Sequence, residues 1–432
     1  MLIGIKIEKL FDIFDYDIEF KKEGITILTG PNGYGKTTVL KILEAFASQN
    51  GFFFVRLLFK KIILEFADSN TIILKRDTKG DISISTQDDS IFGHWNSKSL
   101  DKILKRSPFR QIDENKWIDR RTHEIYHKDD LLQKVILEFP ELANDFQISK
   151  FPQFSKIPTI YFISTQRLLR PVSNPKIRRP RDFDFHIDNV NDVNAFSNTI
   201  EEYAQELRNK IRDTLAKSSE TAQRLDSSFP HRLFEQETPI SEKNFSERFE
   251  RIKNTQKSLS QYGLSDIKAD DHPTYKPENA KALSVYIDDA EAKLADFDGL
   301  LEKLSIFTEI LNERRFTFKR IVISKDDGFK FFTTDNKSPL ALALGDLSSG
   351  EQQEVVLLYE LLFKVEAGTL VLIDEPELSL HVVWQEQFLD DLFKVIELQK
   401  ISIVVATHSP QIINNHWDLT VDLEENFQCK NI

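Results

Sequence analysis

Cysteine is almost missing from this chain: its 432 residues include one, Cys429, beside the C-terminus. A single thiol can neither close an internal disulfide nor build a thiolate metal cluster, so folding must rest on packing, and a reducing cytoplasm suits such a chain. Long apolar runs are also missing, since no stretch approaches the roughly 18 residues that a membrane helix requires. The N-terminus, Met1-Leu2-Ile3-Gly4-Ile5-Lys6-Ile7-Glu8, alternates like a half-buried strand and lacks the form of a signal peptide. Positive charge is not in excess either. The formal net charge of −12 excludes a surface coated for nucleic acid, though a local basic patch remains compatible with it. These absences lead us to expect a soluble cytoplasmic protein with no membrane partner. What is plentiful is core material: 40% of residues are hydrophobic and 34 are Phe. That is enough for one large domain or two to three smaller ones.

The most informative stretch is 24–38. Ile25–Thr29 reads as a short buried strand, and the residues from Thr38 onward have helical spacing. Between them stands Gly30-Pro31-Asn32-Gly33-Tyr34-Gly35-Lys36-Thr37, which fits the phosphate-loop pattern. Glycines let successive backbone N–H groups turn toward phosphates, and the helix that follows adds the positive end of its dipole. Asn32, Gly33, Gly35, Lys36, Thr37 and Thr38 are therefore the expected phosphate contacts of ATP. Lys36 is expected to reach the β- and γ-phosphates, and Thr37 to hold Mg²⁺.

Before and after this loop the sequence predicts strands. Two lie in 2–20, and further β runs follow at 53–59, 62–66, 71–75 and 82–85, the later ones joined by hairpin turns. Another buried strand is predicted at 159–164, and two more at 318–324 and 328–333. From about residue 191 the character changes. Phe196, Ile200, Tyr203, Leu207, Ile211 and Leu215 recur every three or four residues, and a second stripe runs from Leu283 through Ile287, Ala290, Leu294, Phe297, Leu301 and Leu304 to Leu311. Such spacing suits a coiled coil or an antiparallel helical pair; packing of the same stripes against a sheet is the plainer alternative. The span 225–278, polar and broken by Pro230, Pro239, Pro273 and Pro277, suits a tip or connection. We thus expect a helical arm at 190–315 inserted between two halves of one domain, 1–189 and 316–432.

Three later segments carry further chemistry. Leu347-Ser348-Ser349-Gly350-Glu351 opens a helix and offers a second anion-binding N-terminus. The buried run 370–373 ends in Asp374 and Glu375. Asp374 is placed to accept from Thr37 or from a Mg²⁺-bound water, and Glu375 to polarise the attacking water as general base. The strand 401–407 ends in His408, within reach of a γ-phosphate. Each segment alone is ordinary; their order after a phosphate loop is not.

Together the motifs resemble the ATP-binding-cassette ATPases, and within them the SMC, Rad50, RecF and OLD-like heads. The resemblance covers about 1–85, 159–170 and 317–420. It implies an α/β head with a mixed sheet, flanking helices and an antiparallel β subdomain, interrupted by an inserted helical or coiled-coil arm. Under it Lys36 and Thr37 match Walker A, Asp374 and Glu375 match Walker B, and Ser348, Ser349, Gly350 and Glu351 match the signature. His408 matches the switch histidine, 376–381 the D-loop stretch, and Gln166 the Mg²⁺-touching Q-loop glutamine. Ser349 replaces the first glycine of the commonest signature. The implied mechanism is a head-to-head dimer or higher homo-oligomer, in which each signature meets the ATP held by the other copy. With few residues after His408, a nuclease domain of the OLD kind is not expected. Stand-alone heads of this form resemble ATPase subunits of bacterial anti-phage systems such as PARIS, Septu and retrons, which control a separate nuclease or toxin. A RecF- or SMC-like ATPase of DNA repair or maintenance is the rival reading. A transporter subunit is not, because Lys36 and Ser348 stand too far apart.

Three patterns are set aside or left open. His123-Glu124-Ile125-Tyr126-His127 matches the zinc-peptidase pattern, but Asp130-Leu131-Leu132-Gln133 looks like the start of a helix lying beyond it. Asp182-Phe183-Asp184 has no neighbouring glutamate strand to make a nuclease pair. The basic run Lys176, Arg178, Arg179 and Arg181 is either solvated surface or a contact for DNA or an acidic partner.

Overall fold

The computed structural model describes residues 2–48, 50–87, 90–95, 107–113, 116–122, 124–127, 131, 158–164, 168–171, 196–265, 273–334 and 338–428. They form two compact units. The first contains Met1–Thr165, Glu366–Leu378 and Lys400–Ile432; the second contains Gln166–Val365 and Ser379–Gln399. Gln166 and the basic run Lys176, Arg178, Arg179 and Arg181 lie outside the described residues, as does the Asp182–Asp184 pattern.

In the first unit, β1 (Leu2–Leu10), β2 (Phe14–Glu19), β4 (Lys61–Phe66), β5 (Thr71–Arg76), β6 (Ile82–Thr86) and β7 (Ile91–Trp95) form an antiparallel sheet of order β2-β1-β4-β5-β6-β7. Alternation in these strands follows the pleat. Ile62, Leu64 and Phe66 are buried, while Lys61, Ile63 and Glu65 are only half so. On the outer face Lys6 bridges to Glu65 at 2.8 Å and to Asp17 at 3.8 Å. A second sheet is parallel: β11 (Ile160–Ile163), β17 (Leu370–Asp374), β18 (Ser402–Ala406), β3 (Ile25–Thr29) and β19 (Thr420–Asp422), in the order β11-β17-β18-β3-β19. Its inner strands read as continuous apolar runs because they are covered on both faces. Helix α1 (Lys36–Ala47) buries Val39, Leu40, Ile42, Leu43 and Phe46 in one core with residues of both sheets, among them Ile18, Leu74, Leu372 and Val404. Thr37, Lys41 and Glu44 recur on the opposite, less buried face, as in an amphipathic helix. A small antiparallel sheet, β8 (Phe109–Gln111), β9 (Lys116–Asp119) and β10 (Ile125–His127), and the short helices α9 (Pro410–Ile413) and α10 (Leu423–Gln428) also belong to this unit.

Two sequence expectations change here. The β run expected at 53–59 begins as a helix, α2 (Gly51–Arg56). Asn50 caps it by accepting from the Phe53 N–H, and Phe54 stacks on Trp95 at 5.9 Å. The zinc-peptidase pattern meets a strand at Ile125–His127, which pairs antiparallel to β9, and His123 lies outside the described residues. Its second half is extended, so its residues cannot present two histidines on one helical turn.

The second unit is built around α3 (Thr199–Glu235), α4 (Glu242–Gln261), α5 (Ala280–Ala295) and α6 (Asp298–Glu309), with the paired strands β12 (Leu169–Pro171) and β13 (Phe196–Asn198) and the strands β14 (Lys319–Ser324), β15 (Gly328–Thr333) and β16 (Ala341–Leu342). Also in this unit are α7 (Ser349–Tyr359), which continues as a π-helical turn over Glu360–Lys364, and α8 (Val382–Gln399). The first stripe divides. Ile200, Tyr203, Leu207 and Ile211 are fully buried. There Tyr203 stacks on Tyr359 at 4.5 Å and donates to Glu360 Oε1 at 2.6 Å. Gly328, with φ of +76°, lets the β14–β15 hairpin meet α3; a Cβ there would stand 1.9 Å from the Ala204 carbonyl oxygen. The beginning of α3 is thus core, packed against sheet and helix. Further along, α3 runs antiparallel to α5: Lys217 pairs with Asp296, Lys293 with Asp226, and Arg232 with Asp289. The first part of the second stripe packs there on α4, joining Leu283 and Ile287 to Phe245, Phe249 and Ile252. The span expected as a tip is more regular than its prolines suggest, because α3 continues through Pro230 and 242–261 is helical.

Candidate functional site

The first unit aligns its chemistry along one edge. In the parallel sheet β3 lies beside β18, which lies beside β17, with Asp374 opposite Ala406 and Ala406 opposite Leu28. Segments leaving the C-terminal ends of these strands therefore emerge together, the position where open α/β sheets bind ligands. They are the phosphate loop, the Asp374–Glu375 pair and the His408 segment.

The loop turns on glycines with positive φ. Gly35 caps α1 in the left-handed conformation at φ +82°, and an added Cβ would press on Leu10 at 3.3 Å. No side chain caps the helix and its first turn carries no acidic residue, which leaves a positive N-terminus suited to an anion. Lys36 is buried and arches back over the loop, donating from Nζ to the carbonyls of Gly30 at 2.7 Å and Pro31 at 3.2 Å. Tyr34, within the loop, accepts at its carbonyl from Tyr16 Oη at 2.6 Å.

One residue after Lys36, Thr37 Oγ1 donates to Asp374 Oδ1 at 2.9 Å. Asp374 is buried. Burial pushes its carboxyl up and Glu375 adds repulsion, against a smaller downward pull from Thr37, so the net direction is upward. Glu375 takes φ of +44°, uncommon for a non-glycine residue, and strained backbone of this kind collects at functional positions. Its N–H donates to the Ala406 carbonyl at 2.8 Å, which ties the strained turn to β18. His408 is held by Glu377: Oε1 accepts from the His408 N–H at 2.9 Å and lies 3.1 Å from Nδ1. This contact orients the imidazole and leaves its side chain 43% exposed. Composition and motif order did not single out Glu377; the signal available was a third acidic residue two positions beyond Glu375.

The hydroxyl and carboxylate of Thr37 and Asp374 are hard oxygen donors of the type Mg²⁺ prefers, and the shared hydrogen bond already places them together. An ion held there would supply positive charge to a bound polyphosphate.

In the second unit, Ser348 caps α7. Its Oγ accepts from the Glu351 N–H at 3.3 Å, and Glu351 Oε2 accepts from the Ser348 N–H at 2.7 Å, a reciprocal capping box. Glu351 also binds Lys319 Nζ at 2.8 Å. Burial pushes the Glu351 carboxyl up, but Lys319 and Ser348 outweigh it and hold it below the usual range. Glu351 is therefore spent on fixing the helix start, and Ser348, Ser349 and Gly350 form the turn it stabilises.

A family model described as "AAA ATPase domain" matches residues 2–413. The chain belongs to the AAA ATPase domain family. No curated protein matches this AAA-family ATPase at a significant level. Among solved structures it is similar to the Smc head domain with an extended coiled coil from Pyrococcus furiosus, bound to the C-terminal domain of ScpA. Identity there is 12%, coverage 96% of this chain and 91% of that one, and the TM-score 0.32. It is also similar to an SmcHead bound to the C-winged helix domain of ScpA, at 10% identity, 96% and 92% coverage and a TM-score of 0.37. A third similar structure is the SMC head domain from Thermotoga maritima, at 10% identity, 98% and 94% coverage and a TM-score of 0.34. Among the described residues, no helix is long and apolar enough to cross a membrane.

Proposed function

We propose that this AAA-family ATPase binds Mg²⁺·ATP on the first unit, hydrolyses it to ADP and phosphate, and uses the cycle to open and close a homo-oligomer. One observation carries the reading: the loop with Lys36, the Thr37–Asp374 pair, Glu375 and the Glu377-held His408 share the C-terminal edge of three neighbouring parallel strands. In the proposed cycle the loop amides and Lys36 grip the phosphates, and Thr37 and Asp374 hold the metal. Glu375 accepts a proton from the attacking water, and His408 contacts the γ-phosphate. The N-terminus of α7, with Ser348, Ser349 and Gly350, closes over the nucleotide of a second copy. Its capping box and the Lys319 contact support this role by keeping that helix start rigid.

Opening and closing is proposed to serve a sensor and scaffold subunit of an anti-phage complex that restrains a separate nuclease or toxin. Support for this part comes from the motif resemblance. The Glu375→Gln variant tests both levels. It should bind ATP, hydrolyse it at least about a hundredfold more slowly, as expected for loss of a general base, and accumulate as an oligomer in size-exclusion chromatography. Turnover at the wild-type rate removes Glu375 as the base. Co-purification of the trapped form with a nuclease- or toxin-class polypeptide supports the defence role. Hydrolysis stimulated by DNA, with no such polypeptide, moves the protein to DNA maintenance.

A further inference from the structure

The phosphate loop is braced from behind by the far end of the chain. After β19 the chain forms a short helix, α10 (Leu423–Gln428), more than 380 positions from the loop in sequence but against it in space. Tyr34 Oη donates to Glu424 Oε1 at 3.3 Å. The Tyr34 ring packs on Phe14 at 5.4 Å, and Tyr16 Oη holds its carbonyl. A Cβ on Gly30 would come within 3.5 Å of Leu423, so the loop's first residue also lies on this segment. Two further clips hold the helix. Asp422, whose Oδ1 accepts from the Glu424 N–H at 2.8 Å, takes a hydrogen bond from Thr29 Oγ1 at 3.2 Å. Asn426 meets β2 as a neighbouring strand would: its Oδ1 accepts from the Asp17 N–H at 3.1 Å and its Nδ2 donates to the Asp17 carbonyl at 3.0 Å.

None of these side chains is among the expected phosphate contacts. Together they fix the one aromatic residue of the loop on three sides, so the loop amides need not be ordered when nucleotide arrives. Preorganisation of this kind converts directly into affinity. We propose that Tyr34 and Glu424 are a positioning pair, through which the docked C-terminal helix sets the nucleotide affinity of the phosphate loop. By linkage, whatever lifts α10 from β2 weakens nucleotide binding, and bound nucleotide holds α10 down. This rests on the reading that the loop grips a nucleoside triphosphate.

The test is a double-mutant cycle on the full chain with Tyr34→Phe, Glu424→Ala and the pair, plus Glu424→Gln, which keeps an acceptor for the phenol. Fluorescent ATP gives the dissociation constant, steady-state hydrolysis gives kcat and KM, and a nucleotide-free melting curve reports packing. Tyr34→Phe and Glu424→Ala should each weaken binding about tenfold, as for loss of one hydrogen bond to a charged group. The double variant should be no weaker than either single one, kcat at saturation should stay near wild type, and Glu424→Gln should restore most of the affinity. Unchanged affinity in Tyr34→Phe, strictly additive losses, or affinity that falls only in step with melting temperature and kcat each overturn the proposal. Lys36→Ala serves as the control. If the wild type binds no more tightly than Lys36→Ala, the nucleotide reading itself fails rather than the brace.

Discussion

Asp374→Asn removes one negative charge while preserving the side chain's shape and the oxygen that accepts from Thr37. In the nucleotide-free fold that charge is a burden. Asp374 is 7% exposed, and burial with repulsion from Glu375 raises its carboxyl above the ordinary value despite the Thr37 hydroxyl. An acid with a raised folded value binds its proton more tightly in the folded state. Its contribution thus favours folding at low pH and is lost as pH rises through the folded value, leaving the full penalty at neutral pH. An effective burial cost of several kcal/mol, less about 1.5–3 kcal/mol returned by the Thr37 hydrogen bond, leaves on the order of 1–2 kcal/mol to recover. For a unit of this size that corresponds to a melting temperature roughly 2–8 °C higher. Scanning calorimetry without nucleotide at pH 7.5 should show this rise, and the difference should shrink as pH falls toward the carboxylate range. With saturating Mg²⁺·ATP the order should reverse. At a hundredfold excess over Kd the wild type gains about 2.7 kcal/mol, and the variant, lacking its metal-binding carboxylate, gains much less. A nucleotide-free variant that melts below wild type at pH 7.5, or a difference that widens toward acid, refutes the reasoning.

Other perturbations probe separate parts of the molecule. Lys36→Ala should abolish ATP binding in a fluorescent-nucleotide titration while leaving the nucleotide-free circular dichroism spectrum intact; retained affinity contradicts the phosphate-loop assignment. Gly328→Ala forces a left-handed φ on alanine and drives a methyl into the Ala204 carbonyl, costing about 3 kcal/mol or more, visible as early unfolding of the second unit in hydrogen exchange. Deleting 190–315 as a whole should unfold that unit, since Tyr203, Leu207 and Ile211 are its core. Replacing only 219–292 with a short linker, beyond the Lys217–Asp296 ion pair, should leave it folded by proteolysis.

How much of this was legible beforehand depended on distance along the chain. The strand, loop and helix around Lys36 could be read because glycine, hydroxyl and apolar spacing lie within fifteen consecutive residues and each part supports the next. The 53–59 run was misread because its fate rests on Asn50 capping a turn and on Trp95 stacking over Phe54, the latter a partner that no local window contains. The stripe beginning at Ile200 has the same period whether it faces a partner helix or a sheet; only the tyrosine stack with Tyr359 and the Gly328 contact distinguish the two. Pro230 looked like a break, yet a long helix already fixed by packing and ion pairs absorbs it.

The sequence by itself determined which chemical groups exist and which short elements carry them, because phosphate cradles, capping serines and buried strands are encoded in neighbouring residues. The tertiary structure alone decided who meets whom. It set β18 between β3 and β17, brought Asp374 to Thr37 and Glu377 to His408, and laid the C-terminal helix against Tyr34. The physical reason is that these pairings are chosen by burial of apolar surface over the whole unit, a sum that no local stretch of residues contains.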